Sequence, residues 1–331
     1  MLANRAPRTQ ILLAFLAVYT IWGSTYLAIR FAVATMPPFL MAGVRFLIAG
    51  SILYLWLRLR GAERPKMIHW RSALVIGGLL LVGGNGGVSW AEVHVPSGLA
   101  ALLVAAVPLW MALFDWLRPG GVRPTGLTFI GLIIGFAGVA LLASQAESSG
   151  TGPQLIGILA LLVATCCWAI GSLYARGAPV PRIPLLGTGM EMLAGGAVLV
   201  LVSGITGEFG QVHLAAITLK SLLGLAFLIV FGSLIGYTCY VWLLRHVSAS
   251  RVSTYAYVNP VVAVFLGWAF DSEPITWVTL VSAAVIISSV ALITIAQARR
   301  AQPQPHPEAI PEADATEQAT PTEPSHAVSQ Q

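Results

Sequence analysis

The chain has 331 residues, of which 57% are hydrophobic and only 9% are charged. A soluble domain carries about 25% charged residues, and no soluble fold of this length could hide so much apolar surface from water. The net charge of +5 does not indicate a nucleic-acid partner, because the Lys and Arg residues lie at the ends of apolar runs and not in one stripe. The composition therefore predicts a membrane protein that is solvated by the lipid bilayer.

Ten apolar runs are each long enough to cross a hydrocarbon core, which needs about 20 residues. In chain order they cover residues 11–29, 39–57, 73–91, 98–117 and 127–144, and then 155–174, 185–206, 219–243, 252–270 and 277–296. The apolar residues are continuous and do not alternate with period two, which favours helices over barrel strands. We therefore expect an all-α polytopic protein with ten transmembrane helices.

The first run could be mistaken for a secretion signal, because Arg5 and Arg8 precede it and a small-residue motif follows it at residues 32–34. The run is longer than the apolar core of a signal peptide, which spans about 7–15 residues. Cleavage would also delete one member of the repeat described below. The run is therefore predicted to be an uncleaved first span that follows a cytoplasmic N-terminus of residues 1–10.

The distribution of basic residues predicts the orientation of the chain. With the N-terminus inside, the inner loops hold fifteen of the eighteen Lys and Arg residues, and the outer loops hold only Arg30 and Lys220. Because basic loops stay in the cytoplasm, both termini are predicted to be cytoplasmic. The segment 299–331 is rich in Pro, Gln and Glu and has no aromatic residue, which predicts a disordered cytoplasmic tail.

The two halves of the chain can be superimposed by hand. The pairs at an offset of 146 include Trp22 with Trp168, Pro38 with Pro184, Arg45 with Glu191 and Gly50 with Gly196, and the pairs at an offset of 152 include Gly84 with Gly236 and Pro108 with Pro260. The first repeat covers residues 11–146 and the second covers 153–298. Each repeat has five spans, an odd number, so the second repeat must enter the membrane from the opposite side. The chain is therefore predicted to contain two inverted five-helix repeats.

Several short motifs occur in a fixed order along the chain. They are Trp22-Gly23-Ser24 in the first run, Pro38, Arg45-Phe46 and Ala49-Gly50 around the second, and the mid-span prolines Pro108 and Pro260. Together they resemble the EamA-like permeases of the drug/metabolite transporter superfamily, over about residues 10–297. The resemblance implies a multi-pass carrier of the bacterial inner membrane, often an exporter of amino acids, metabolites or drugs. The glycine content of the third run and the long tail depart from the family pattern.

Inverted repeats favour transport, because two halves that exchange conformations open a central site to each side in turn. Our first hypothesis is a secondary-active exporter of a small-molecule solute, with a proton as the candidate coupling ion. The chain has no GxxxxGK[ST] loop and no sizeable soluble domain, so neither an ATP-driven pump nor an enzyme with a cofactor is expected. The alternatives are a membrane-embedded enzyme of lipid chemistry, which would need clustered acids and histidines, and a non-transporting scaffold. The substrate, the direction of transport and the oligomeric state stay open.

Arg45 and Glu191 are the two clearly intramembrane charges. Ionisable groups at such depth are functional candidates by default, so Arg45 is assigned to a solute carboxylate and Glu191 to a proton or cation. Alternatively, each hydrogen-bonds a neighbouring helix. Each lies about seven residues, or about 10 Å, into its span, and inversion places the two at opposite depths, so a direct ion pair is not expected. No metal site is expected, because the histidines lie scattered between spans or in the tail.

Residues 83–87 have the sequence Gly-Gly-Asn-Gly-Gly in the middle of the third run. Since each Gly costs about 1 kcal/mol against Ala in a helix, one hypothesis is an unwound stretch around a buried Asn85, with backbone groups that face the cavity. The alternative is close helix packing through small residues. Pro108 and Pro260 lie mid-span and predict kinks or hinges, because proline removes a hydrogen bond of the helix.

Aromatic residues are frequent within the apolar runs. Those at the span ends are typical of the interfacial belt, namely Trp56, Trp70, Trp116 and Trp277. The candidates for the solute pathway are Trp22, Tyr26, Trp168, Tyr237, Tyr255 and Tyr257, together with Asn85 and Asn259. Tyrosines within a span need hydrogen-bond partners, so this set predicts a cavity for apolar or aromatic solutes.

Overall fold

The computed structural model describes residues 7–121, 123–148, 152–247, 249–252 and 254–300, and these residues form no strand. The spans, numbered in chain order, are Arg8–Val33, Pro38–Leu59, Met67–Ala91, Ser97–Leu117, Gly126–Ser148, Gly152–Ala175, Pro184–Ile205, Leu219–His246, Tyr255–Asp271 and Trp277–Arg300. In this part of the chain, nine helices have the length and hydropathy to cross a membrane, and span 9 has 17 residues, or about 26 Å. The predicted all-α fold is confirmed.

Span 1 begins and span 10 ends at the same membrane face, because the number of spans is even. We name this face the terminal face and the opposite one the distal face. Span 10 continues through Arg300, so the first two residues of the predicted tail are helical. Residues 301–331 of that tail and residues 1–6 of the predicted N-terminus lie outside the described residues.

The two mid-span prolines occupy different backbone settings. Span 4 is interrupted at Ala105 and Ala106, and its second half begins at Val107 with Pro108 in the first turn. That position tolerates proline, because the first N–H groups of a helix have no partner within the helix. Span 9, in contrast, is one continuous helix through Pro260. The interruption therefore falls where a kink was predicted at Pro108, whereas no break accompanies Pro260.

Spans 3 and 8 each contain a π-helical segment, Gly78–Gly86 in span 3 and Leu228–Ile235 in span 8. The offset of 152 maps residues 78–86 onto 230–238, so the two segments overlap in the two repeats. Such turns are rare in proteins and are frequent at functional sites. Neither segment was predicted from the sequence.

The glycine run at residues 83–87 is wound as a helix, so the hypothesis of an unwound stretch is wrong. The glycines instead let span 6 pack closely against span 3. A Cβ on Gly83 would lie 2.7 Å from Cys167 Cβ, and one on Gly87 would lie 2.9 Å from Ala164 Cβ. Close packing through small residues, the alternative interpretation, is what these contacts show.

Spans 2 and 7 form the most extensive helix pair, and they meet through glycines that are related by the repeat. A Cβ on Gly50 would lie 2.9 Å from the backbone N of Leu193, and one on Gly196 would lie 2.9 Å from that of Leu47. Gly43 and Gly189 make the corresponding close approaches. Because the offset of 146 pairs Gly43 with Gly189 and Gly50 with Gly196, the interface is symmetric, and the pseudo-two-fold axis passes through it.

The remaining helices interlock across the repeats. Span 1 packs against spans 8 and 9 of the second repeat, and span 6 packs against spans 3 and 4 of the first. Spans 5 and 10 pair with each other, where Gly131 and Gly138 allow close contact with Ile293 and Val285. The repeats are thus joined by equivalent contacts in both directions, and the predicted inverted repeat is confirmed by this arrangement together with the sequence comparison below.

Candidate functional site

A small cavity lies between spans 3, 7 and 8, in the half of the bundle that is nearer the terminal face. Its volume is about 30 Å³, and it is lined by Ile76, Gly77, Leu80, Leu81, Thr188, Glu191, Met192 and Tyr237. A cavity of about 10–15 Å³ holds one water molecule, so this one has room for about two. Its carboxyl, hydroxyl and phenol groups can supply the hydrogen bonds that a water molecule or a polar solute group needs.

Glu191 is the charged residue of the cavity. It lies seven residues after Pro184, the first residue of span 7, which places it about 10 Å from the terminal face. Gly77 brings span 3 close to it, since a Cβ there would lie 2.6 Å from the Glu191 carbonyl oxygen. Among the described residues, the Glu191 carboxyl has neither an ion pair nor a hydrogen bond, so it is available to a proton, a water molecule or a solute.

Arg45 lies on span 2 at the corresponding depth from the distal face. Its side chain is buried, and its Nε donates to Ser233 Oγ at 2.9 Å within the π-helical segment of span 8. Gly232 leaves room for the guanidinium, because a Cβ there would lie 3.2 Å from Arg45 Nη2. In the described part of the chain no ion pair joins Arg45 to Glu191, as their opposite depths led us to expect.

Tyr237 lies between these two charges. Its side chain lines the cavity with Glu191, and its phenol is within electrostatic range of both Arg45 and Glu191. It also packs edge-on against Trp22, with ring centroids 5.3 Å apart. Tyr237 therefore connects the cavity to an aromatic cluster on its other side.

The aromatic cluster is centred on Trp22 of span 1. The Trp22 ring lies 5.1 Å from Tyr240 and 5.2 Å from Tyr255, centroid to centroid, and its Nε1 donates to Gly232 O at 3.2 Å. These rings fill the space between spans 1, 8 and 9 by direct contact. The structure therefore brings together Trp22, Tyr237 and Tyr255 from the predicted set, and it adds Tyr240.

Trp168 occupies the position in the other repeat that corresponds to Trp22. A Cβ on Gly84 would lie 2.8 Å from Trp168 Cε3, and Gly236 leaves room for Trp22 in the same way. The offsets of 146 and 152 relate these two Trp–Gly contacts. Trp168 therefore packs on span 3, and the structure does not place it in the aromatic cluster around Trp22.

The other predicted residues lie outside the cavity. Asn85 Nδ2 donates to Leu80 O at 3.4 Å within its own span, and Tyr257 hydrogen-bonds to Thr294 of span 10. With its amide oriented to satisfy its neighbours, Asn259 Nδ2 donates to Tyr255 O at 3.2 Å and to Tyr19 O at 3.3 Å. Asn259 thus links spans 1 and 9. Tyr26 packs in the main apolar core.

Two features of the cavity region escaped the sequence analysis. Thr188 and Ser233 were not singled out, because a lone hydroxyl residue in an apolar run is common in membrane helices. Tyr240 lies three residues after Tyr237, a spacing that puts both on one helix face. That spacing was the available signal for Tyr240.

Carboxylates cap two helix N-termini at the distal face. Glu208 accepts hydrogen bonds from Phe39 N and Leu40 N at 3.2 and 2.8 Å, at the start of span 2. Glu273 accepts from Ser97 N and Gly98 N at 2.6 and 3.0 Å, at the start of span 4. The free N–H groups and the positive end of the helix dipole both favour a negative charge there.

Ion pairs join the same distal loops. Asp271 lies 3.6 Å from Arg30 Nε and 3.6 Å from Lys220 Nζ, so it connects span 1 with the start of span 8. Arg30 Nη1 also donates to the carbonyl oxygen of Glu92 at 2.6 Å. Spans 1, 3, 8 and 9 are thereby connected at their distal ends.

The fold defines a multi-pass membrane protein of two inverted five-helix repeats with a polar cavity between them. The sequence model of the EamA-like transporter family matches the chain twice, over residues 9–144 and 155–295. These matches fall on the two repeats. The chain belongs to the EamA-like transporter family, and it is a membrane transporter.

Relatives of similar sequence are also transporters by name. The uncharacterized inner membrane transporter YedA of Escherichia coli (strain K12) is 41% identical over 284 residues, which cover 85% of this chain and 90% of YedA. The uncharacterized transporter YvbV of Bacillus subtilis (strain 168) is 31% identical over 297 residues, which cover 86% of this chain and 91% of YvbV. A solved crystal structure with 22% sequence identity covers 89% of this chain and all of that one at a TM-score of 0.59, and it therefore shares the fold.

Proposed function

We propose that the protein is a secondary-active transporter of the inner membrane that exports a small solute by alternating access. The observation that supports this is the position of the cavity, which lies between helices of the two inverted repeats and contains Glu191 beside Tyr237. The solute is an amino acid, another small metabolite or a drug. Both termini are cytoplasmic, so the terminal face is the inner face and the distal face is the outer one.

Alternating access is supported by a difference between the two membrane faces, although the two repeats have the same arrangement of helices. The distal face is closed by the carboxylate caps of Glu208 and Glu273 and by the ion pairs of Asp271. The cavity, in contrast, lies in the terminal half. Inverted repeats allow a second state in which the two halves exchange these roles.

The repeat offsets predict which residues line the cavity in that second state. The equivalent of Glu191 is Arg45, and the equivalents of Leu81 and Tyr237 are Ser233 and Asn85. Arg45 already donates to Ser233 at 2.9 Å, so two of these residues are in contact before any movement. A solute would therefore meet Glu191 from the inner side and Arg45 from the outer side.

The chemistry of these residues suggests separate roles. Arg45 presents a guanidinium that can bind a solute carboxylate. Glu191 is a carboxyl without a partner among the described residues, and it can bind and release a proton as the cavity changes sides. The aromatic cluster around Trp22 forms an apolar wall against which a hydrophobic part of the solute can pack.

Transport in proteoliposomes tests the proposal. The purified protein is assayed for exchange and for accumulation with a panel of amino acids and other metabolites, with and without a pH gradient. We expect saturable flux of one solute class, and accumulation that depends on the gradient. Glu63→Gln, at an exposed residue of the loop between spans 2 and 3, is the matched control for Glu191→Gln and should transport like the parent. Absence of flux for every solute class under both conditions would contradict the proposal.

A further inference from the structure

Glu92 is a buried carboxyl group that takes no part in the transport site proposed above. It follows span 3 directly at the distal face, and its side chain is fully buried. Neither of its carboxyl oxygens has a hydrogen-bond partner. The backbone of Glu92, unlike its side chain, is hydrogen-bonded. Its N–H donates to Val88 O at 3.0 Å, and its carbonyl oxygen accepts from Arg30. Burial without a partner strongly disfavours the charged form of a carboxyl group, so the closed distal face favours neutral Glu92.

Charged and titratable groups surround Glu92 on several elements. They are Tyr26 and Arg30 on span 1, His94 on the same loop, Asp271 and Glu273 at the end of span 9, and Lys220 at the start of span 8, which reaches Glu92 through Asp271 and Arg30. The His94 ring packs at a tilt against Trp90, with ring centroids 4.5 Å apart, and its Nδ1 lies 3.3 Å from Trp90 O. Burial raises the pKa of Glu92 well above its ordinary value, the negative charge of Glu273 raises it further, and Arg30 opposes the rise.

Arg30 does not neutralise the Glu92 carboxyl by direct contact. Its Nη1 is bonded to the Glu92 backbone carbonyl, and its Nε lies 3.6 Å from Asp271. The Glu273 carboxylate in turn accepts the backbone N–H groups at the start of span 4. Arg30, which could compensate a negative charge on Glu92, is therefore used to hold the distal loops together, while Glu273 adds a charge of the same sign.

We propose that Glu92 is a proton-binding site that holds the distal face closed. In the closed state it is protonated and packs as a neutral group, and when the distal loops separate it enters water and loses the proton. The inference rests on the alternating access proposed above, but not on the solute, on Glu191 or on the direction of transport.

The sign of the pH dependence follows from the difference between the two states. The pKa of Glu92 is higher in the closed state than in the open, hydrated state. Protonation therefore stabilises the closed distal face fully at low pH, and this stabilisation is lost as the pH rises through the closed-state pKa. Each unit of difference between the two pKa values changes the ratio of closed to open molecules by a factor of ten.

Spin labels on the distal loops test the proposal without any solute. Val93 and Leu214 are exposed, and they lie in different distal loops, Val93 directly after Glu92 and Leu214 in the loop before span 8. Both are replaced by Cys in full-length protein whose native cysteines are changed to Ala, and the distance between labels is measured in nanodiscs as a function of pH. We expect the long-distance population to grow as the pH rises. Glu92→Gln should keep the short distance at every pH.

Matched variants separate this proposal from the proposed function. Glu63→Gln should retain the pH-dependent opening of the parent, and because no solute is present, the opening is observed whether or not any solute is transported. A parent protein without pH-dependent opening, or Glu92→Gln opening with the midpoint of the parent, would overturn the proposal. If Glu92→Gln does not fold, Glu92→Leu supplies a neutral apolar side chain for the same measurement.

Infrared spectroscopy observes the proton directly. The closed protein at low pH should show the carbonyl stretch of a buried carboxylic acid that is absent from the spectrum of Glu92→Gln and is retained in Glu63→Gln. The band should disappear over the same pH range in which the spin labels separate. Identical carboxylic acid bands in the parent and in Glu92→Gln would show that Glu92 is ionised when buried, and would overturn the proposal.

Discussion

Gly77→Ala is expected to destabilise the contact between spans 3 and 7, while Gly78→Ala is not. A Cβ on Gly77 would lie 2.6 Å from the Glu191 carbonyl oxygen and 3.0 Å from Gly195 N, whereas a Cβ on Gly78 meets nothing within 4 Å. Both contacts of Gly77 are with backbone, so span 3 must move by about 0.8 Å to reach the 3.4 Å of ordinary contact. Overpacking of this kind costs about 1–3 kcal/mol.

Gly78→Ala is the control that makes the steric cost of Gly77→Ala measurable. Both glycines have helical backbone angles, so each substitution to Ala gains about 1 kcal/mol of helix propensity. The difference between the two variants therefore isolates the steric effect, and we expect Gly77→Ala to be less stable than Gly78→Ala by about 1–3 kcal/mol. Equilibrium unfolding in mixed detergent measures this difference. Transport by Gly77→Ala should fall too, because the displaced span changes the cavity beside Glu191. Equal stability of the two variants would refute the reasoning.

Four further expectations concern transport and topology. Glu191→Gln should insert normally and keep solute exchange but lose accumulation driven by a pH gradient, because an amide does not titrate; accumulation equal to that of the parent would reject the proton role. Arg45→Gln should weaken binding of an anionic or zwitterionic solute by about tenfold or more, since a hydrogen bond to a charged group contributes about 1.5–3 kcal/mol. An unchanged Kd in calorimetry would argue against binding of the solute carboxylate by Arg45. Reporters fused after Ser149 and after Arg64 should report the outer and the inner side, and the opposite pattern would overturn the orientation. Deletion of 303–331 should leave insertion and transport intact, because that segment cannot bury a core, and a well-inserted but inactive truncation would exclude this.

The scaffold could be predicted because its determinants are local in the sequence. A run of about 20 apolar residues defines a span wherever its neighbours lie, and an odd number of spans per repeat fixes the inversion. Arg45 and Glu191 stand out for the same reason, since a charge inside an apolar run is visible without a structure. Their opposite depths followed from the position of each residue in its span, and the structure shows no ion pair between them in the described residues.

The details of the site depend on contacts between distant residues and were therefore missed. A π-helical segment arises when tertiary packing shifts the hydrogen-bond register, and nothing in the residues 228–235 differs from an ordinary apolar helix. Glu92 looks like an interfacial residue in the sequence, because it follows an apolar run. It is buried only because span 1 and the loop after span 9 fold over it, and both lie far away in the chain.

The two repeats have the same arrangement of helices but carry different side chains at equivalent positions. The offset of 152 pairs Tyr237 with Asn85, and the offset of 146 pairs Glu191 with Arg45, so the side chain that each side of the transporter presents is different in size and charge. A symmetric backbone makes the two states similar in helix packing. The difference in free energy between them must then come from these unlike pairs and from the groups that close each face. Under the alternating access proposed above, the preferred state therefore depends on a small number of side chains, and substitutions at these positions should shift it without rebuilding the fold.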